Sequence, residues 1–335
     1  MTRRQSNSHA HRRARVAAFV VGAALIPAGA AGTVRAQEYP AKPVRLIVQS
    51  PPGGGADFLA RVLGRQLAES WGQTVVIDNR PGAGGAIGTA MVAHAPPDGY
   101  TLLLVPSTHA ISPSFYKKLP YEPIKDFAPV AQIATSSNVV VVHPSLPVRS
   151  VAELIALAKR RPGELSYGSA GIGATTHLSG ELFRSLAGIR VVHVPYKGSG
   201  PAEIDLAGGH LQFMVDTMPA ALPNVRSGKT RALATTGRER AASLPELPVV
   251  AESGLPGYEF TTWWGVSAPS GTPPAIVAKL NKEIVRIMAQ AEIRELTLTQ
   301  GTEPRTGTPQ EFADYIKSQI EFFAKIVASA GIKPE

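Results

Sequence analysis

Residues 50–57 read Ser-Pro-Pro-Gly-Gly-Gly-Ala-Asp and stand between an apolar run and an amphipathic one. Three consecutive glycines let a backbone turn tightly and aim several N–H groups at one point, and the start of a helix adds about half a positive charge there. Gly53, Gly54, Gly55, Ala56 and Asp57 are therefore candidates for gripping a carboxylate or phosphate without a side-chain cation. A plain strand-to-helix turn is the alternative, but it needs one glycine and not three. A second run, Ser169-Ala170-Gly171-Ile172-Gly173-Ala174-Thr175-Thr176, has the same strand–turn–helix context further along. Ser169, Thr175 and Thr176 add hydroxyls, although either threonine also suits a helix N-cap. Two such turns, each at the C-terminal end of a strand, predict the opposing walls of one cleft.

Catalytic patterns come close and fail. Residues 82–88, Gly-Ala-Gly-Gly-Ala-Ile-Gly, miss the dinucleotide G-x-G-x-x-G spacing because Ile87 holds the third glycine position. Ser227-Gly228-Lys229-Thr230 has the end of a P-loop, but Pro223 stands where the upstream glycine belongs and a strand pattern follows. A nucleophile elbow at Ser169 needs glycine two residues earlier, where Tyr167 stands. His94, His109, His143, His177, His193 and His210 show neither H-E-x-x-H nor H-x-H spacing, so no metal site is expected. Asp216 ends the apolar run Phe213-Met214-Val215 on the same expected rim. It either accepts a ligand hydroxyl or amino group or holds a loop N–H. Trp263-Trp264 reads first as packing and second as lining of a cleft mouth.

The elements that must position these residues follow from periodicity. Short β-rich runs at 44–48, 75–78 and 102–105 alternate with helical patterns, the first carrying Leu59, Leu63, Leu67 and Trp71 at i, i+4 spacing. A second series has strands at 139–143, 166–169, 191–194, 213–216 and 232–235, with helices at 151–161, 175–187 and 201–206 between them. Strands alternating with helices imply parallel sheets covered on both faces. The expected fold is therefore α/β, with two doubly wound domains and a ligand cleft between them. Two long amphipathic helices, 274–290 and 309–330, close the chain. Four prolines make 106–127 read as a loop-rich stretch between the series.

Residues 1–36 hold Arg3, Arg4, Arg12, Arg13 and Arg15, then an apolar run over 16–26, then small residues ending Val34-Arg35-Ala36. This is the pattern of a secretory signal peptide with cleavage near Ala36/Gln37, and its apolar core is too short to span a bilayer. The formal charge of +9 over the full chain falls to +3 beyond residue 36, with 28 basic against 25 acidic residues. Nothing there suggests a nucleic-acid partner. Cysteine is absent, which removes disulfides, thiol nucleophiles and cysteine metal ligands.

Together these motifs resemble a known pattern. Residues 40–48, the Pro-Gly-Gly-Gly-Ala-Asp turn, Asn79-Arg80-Pro81-Gly82-Ala83-Gly84-Gly85, Pro97-Asp98-Gly99-Tyr100-Thr101-Leu102, Asp126-Phe127-Ala128-Pro129-Val130, His193-Val194-Pro195-Tyr196-Lys197-Gly198, Asp205-Leu206-Ala207-Gly208-Gly209 and 248–257 are similar to the substrate-binding proteins of tripartite tricarboxylate transporters (Bug or TctC-like receptors). The resemblance implies a periplasmic-binding-protein-like flytrap, with signal peptide 1–36, domain 1 from 37–138 plus 262–335, and domain 2 from 139–261. It implies that a small carboxylate is held at Gly53, Gly54, Gly55, Ala56, Asp57, Ser107, Thr108, Ser169, Gly171, Ile172, Gly173, Ala174, Thr175 and Asp216. The implied partners are that carboxylate and integral membrane permease subunits, with a monomeric receptor, no cofactor, no metal and no bond chemistry. Gln49-Ser50 replaces the usual Pro-Phe, Ile172 and Ala174 replace polar residues, and Ile204 replaces a common threonine. Those departures point toward a ligand with a larger apolar body, an aromatic acid ahead of citrate. The competing readings are an exported hydrolase using Ser169 with His177 and Asp216, a ligand sensor, and an interaction protein with a vestigial cleft.

Overall fold

The computed structural model describes residues 39–332, so the expected signal peptide lies outside the described residues. The first strand, β1 (Val44–Val48), runs into the glycine turn and then helix α1 (Gly55–Trp71). Leu59, Leu63 and Leu67 are buried along one stripe of that helix, as i, i+4 spacing requires. Next come β2 (Val75–Asn79), α2 (Ala86–Ala93) and β3 (Thr101–Pro106), with β1 lying parallel between β2 and β3.

The stretch 106–127, expected as loop, contains helix α3 (Thr108–Phe115). Pro113 falls in its last turn, where it removes one backbone bond. Burial of His109, Ile111 and Phe115 outweighs that loss. A 16-residue strand, β4 (Phe127–Val142), follows, of which only the last part was legible. The second series is α4 (Val151–Arg160), β5 (Ser166–Ser169), α5 (Thr175–Ala187), β6 (Val192–Pro195), α6 (Ser199–Ala207), β7 (Phe213–Thr217), α7 (Met218–Arg226) and β8 (Arg231–Thr235). Strand β9 (Thr261–Pro269) leads to α8 (Pro274–Met288), α9 (Ala291–Thr299), the short β10 (Glu303–Pro304) and α10 (Pro309–Ser329). Thr308 and Glu311 form a capping box that starts α10.

The strands form one ten-stranded sheet, ordered β2-β1-β3-β9-β4-β7-β5-β6, with β8 and β10 also paired to β4. The expectation of wholly parallel sheets is corrected here. Strands β1 to β3 and β5 to β7 are parallel sets, but β9 and β4 enter antiparallel between them. Strand β4 changes partner along its length: residues up to Ser137 pair with β9, and those from Asn138 pair with β7 and β8. Trp263 is fully buried and donates from Nε1 to Gln319 Oε1 at 3.2 Å, so the tryptophan pair is chiefly packing. Gly265 is required beside it, because a Cβ there would lie 2.1 Å from Phe312 Cζ on α10.

In both parallel sets each strand feeds a helix at its C-terminal end. The starts of α1, α2 and α3 therefore gather on one rim, and those of α5, α6 and α7 on the other.

Candidate ligand-binding site

The first rim is built by the turn between β1 and α1. Gly53 has φ +92°, a conformation that favours glycine, and its N–H donates to Asp57 Oδ2 at 3.0 Å. The same oxygen accepts from Arg61 Nε at 2.9 Å. Burial would raise the Asp57 pKa, but the bonds from Arg61 and Gly53 outweigh it and hold the carboxyl below its ordinary value. Asp57 thus closes the turn from inside the protein. The start of α1 carries no side-chain cap at Gly54, so the N–H groups of Gly55, Ala56 and Asp57 have no intrahelical acceptor. A Cβ at Gly53 or Gly54 would meet nothing within 4 Å, so the backbone there faces open space.

Gly55 is closely flanked. A Cβ on it would lie 3.0 Å from Trp264 Cζ2 and 3.5 Å from Pro219 Cγ, at the start of α7. The two rims therefore approach each other at this point. Behind the turn, Gln49 Nε2 donates to Thr108 Oγ1 at 2.7 Å, and Gln49 Oε1 accepts from Thr89 Oγ1. Ser107 is fully buried; its N–H donates to Trp263 O at 3.0 Å. Ser107 and Thr108 are thereby placed as supports behind the first turn.

On the second rim, most turn N–H groups already have partners. Ala170 N donates to Thr176 Oγ1 at 2.8 Å, Gly171 N to Ser169 Oγ at 3.2 Å, Gly173 N to His177 Nδ1 at 3.3 Å, and Ala174 N to Gly171 O at 3.2 Å. The start of α5 is again without a side-chain cap, so the N–H groups of Thr175, Thr176 and His177 are its intrahelically unpaired donors. Ile172 projects from the turn half exposed. A Cβ on Gly173 would lie 3.6 Å from Phe115 at the end of α3, a second approach of one rim to the other.

Ser169 is buried, and its Oγ contacts His193 Nε2 at 2.6 Å. The histidine expected beside it, His177, instead stacks on His193 with ring centroids 4.3 Å apart. Burial, followed by the neighbouring His177, lowers the His193 pKa to about 4. Asp216 lies elsewhere. It is fully buried, and its Oδ1 accepts from Ser199 Oγ and Thr217 N, each at 2.7 Å. The structure therefore does not bring Ser169, His177 and Asp216 together as a triad, and Asp216 sits beneath the rim and not on it.

An apolar cavity of about 530 Å³ lies between α2 and residues 116–120, lined by Ala86, Ile87, Met91 and Leu119 among others. None of the candidate residues lines it. Lys118 is the lone lysine or arginine among its lining residues.

Residues 59–332 match the tripartite tricarboxylate transporter family receptor, TctC. The chain belongs to this family. BugT of Bordetella pertussis is 40% identical to this receptor over 316 residues, covering 94% of this chain and 97% of the relative. The structure of R. palustris Rpa4515 with adipate has a TM-score of 0.85 and 40% identity, covering 89% of this chain and all of that one. MatC of Rhodopseudomonas palustris with bound malate has a TM-score of 0.80 and 31% identity, covering 86% and 100%. The receptor accordingly has the periplasmic-binding-protein-like α/β fold. The family and these neighbours are solute-binding proteins and not enzymes, which removes the hydrolase reading of Ser169.

Sequence reasoning passed over Ser199, Glu203 and Pro219 and did not pair His193 with Ser169. It had Gln49 only as a departure from the family pattern and Trp264 at the cleft mouth only as its second reading. The others come together only through the packing of distant segments.

Proposed function

We propose that this receptor captures a small dicarboxylate with an apolar body between its two rims and presents it to integral membrane permease subunits of a tripartite transporter. One carboxylate is held by the N–H groups at the uncapped starts of α1 and α5, with Thr175 adding a hydroxyl. The observation that carries this reading is the pair of uncapped, glycine-rich helix starts on approaching rims, in a chain that shares 40% identity with an adipate-bound neighbour. Ile172, apolar and half exposed on the second turn, supports a methylene or aromatic body over a third carboxylate.

The change of partner along β4 between Ser137 and Asn138, and the return through β9 from Thr261, support division into 37–138 plus 262–335 and 139–261. The receptor acts as a monomer in the periplasm after cleavage near Gln37, and ligand capture closes the two parts on each other.

Titration calorimetry with adipate, malate, citrate and benzoate tests the reading. Adipate is expected to bind more tightly than citrate. Citrate binding more tightly than adipate would refute the apolar-body reading, and no binding of any of the four acids would refute carboxylate capture.

A further inference from the structure

Asp216 and Glu203 form a buried pair of acids directly beneath the second rim. Both are almost wholly shielded from solvent. On Asp216, Oδ1 is occupied by Ser199 Oγ, the first residue of α6, and by the N–H of Thr217, which precedes α7. On Glu203, Oε2 accepts from Asn224 Nδ2 at 2.7 Å. The remaining oxygens, Asp216 Oδ2 and Glu203 Oε1, are buried and have no donor from any other group. Two ionised carboxylates cannot satisfy each other, because each oxygen only accepts. A single proton placed between them satisfies both and removes one of two buried negative charges.

Apart from the hydroxyl groups of Ser199 and Thr217 and the amide of Asn224, the surroundings are mostly apolar. Val139 of β4, Ala202 and Leu206 of α6, and Met218 and Leu222 of α7 form the apolar cluster there, and Thr235 of β8 lies in register across β4. The other acid of α6, Asp205, accepts instead from Tyr196 Oη at 2.6 Å. Among the described residues, the hydrogen bonds to the pair come from Ser199, Thr217 and Asn224, and none from a lysine, arginine or histidine.

We infer that Glu203 and Asp216 share one proton, with Glu203 as its carrier, and that keeping this proton is what leaves the second rim receptive to an anion. Glu203 is thus a positioning residue that reaches the ligand through Asp216, Ser199 and the starts of α6 and α7. Losing the proton places a second negative charge under helix starts that must attract a carboxylate. Burial, reinforced by Asp216, pushes the Glu203 carboxyl up to about 8, inside the range a cell compartment can traverse. The link to binding rests on the carboxylate reading above; the shared proton does not.

The test begins without ligand, on the whole mature receptor. From pH 6.5 to 8 the folded protein holds a proton that the unfolded chain has released. The folding equilibrium constant of wild type relative to Glu203→Gln should therefore fall about fifteenfold over that range, because a group at about 8 is half deprotonated at its upper end. Histidines lowered by burial add stability as the unfolded imidazoles lose their protons around pH 6.5, and this contribution is common to wild type and Glu203→Gln. Glu203→Gln, whose amide donates to Asp216 Oδ2 at every pH, should lack the downward contribution and keep the histidine rise. If Glu203→Gln does not fold, Asp216→Asn offers the same donor from the other side. Wild-type and amide-variant profiles that run parallel from pH 6.5 to 8 overturn the shared proton. With adipate as probe, wild-type affinity should drop about tenfold from pH 6.5 to 9 and stay level in Glu203→Gln. An equal drop in both overturns the link to binding. Absence of adipate binding at every pH counts against the carboxylate reading, while the ligand-free profile still decides the proton.

Discussion

Replacing Asp57 separates a residue that shapes the first turn from one that touches the ligand. In the structure its Oδ2 holds Gly53 N at 3.0 Å and Arg61 Nε at 2.9 Å, and the residue is buried. The charge-assisted bond to Gly53 is worth about 1.5–3 kcal/mol. An acid in the first helical turn adds roughly 0.3–1 kcal/mol. The pair with Arg61, whose side chain is more than half exposed, adds no more than about 1 kcal/mol after solvent screening. Asp57→Ala should therefore lower the unfolding free energy at pH 7 by about 2–4 kcal/mol. Asp57→Asn keeps an oxygen for Gly53 N and loses only the charge, at a cost of about 1–2 kcal/mol. Because the carboxyl pKa is lowered in the fold, this stability is present above the unfolded value and is lost as pH falls through the folded one. Adipate affinity should fall about tenfold in Asp57→Ala, whose turn is no longer held in its binding geometry, and change less than about threefold in Asp57→Asn. Urea denaturation and calorimetry on the three proteins measure both quantities. If Asp57→Asn binds as poorly as Asp57→Ala, the carboxylate itself faces the ligand, and its role as an internal turn closure is refuted.

Two further outcomes follow from the same geometry. His109 and His193 are pushed down to about 4 and His177 is also lowered, in each case chiefly by burial. Below about pH 6.5 the unfolded chain takes up protons that the folded one refuses, and Glu203 works in the opposite sense up to about 8. Stability measured by urea denaturation should peak near pH 7; a plateau extending unchanged from pH 5 to 8 would contradict both assignments. Gly265→Ala forces a methyl to within 2.1 Å of Phe312 Cζ and 2.8 Å of Ala131 O. It should cost about 1–3 kcal/mol or more through strain between β9 and α10, and thermal unfolding at the wild-type temperature would show that contact to be loose.

Much of this receptor was legible in its residues. The i, i+4 leucines of α1, the β-rich runs around it and the two glycine turns were placed by local chemistry alone, because a turn of three glycines and an amphipathic stripe carry their own conformational preferences. Strand β9 and the first part of β4 were not legible, since their antiparallel pairing joins residues more than a hundred positions apart and leaves no short-range periodicity. Helix α3 was hidden by Pro113, whose local cost is overcome only once His109, Ile111 and Phe115 are buried.

At the site the division is the same. The sequence determined that two glycine-rich turns would each lead into a helix, but it left open whether Thr175 or Thr176 caps the second; the structure puts Gly54 and Ala174 at the N-caps, where no side chain can cap. Only the tertiary structure decided which donors remain available. Ser169, Thr176 and His177 take the N–H groups of Gly171, Ala170 and Gly173, and Asp57 takes that of Gly53. It also set His193 against Ser169 and Glu203 against Asp216. Those pairings depend on strand order and helix packing, which no local spacing encodes.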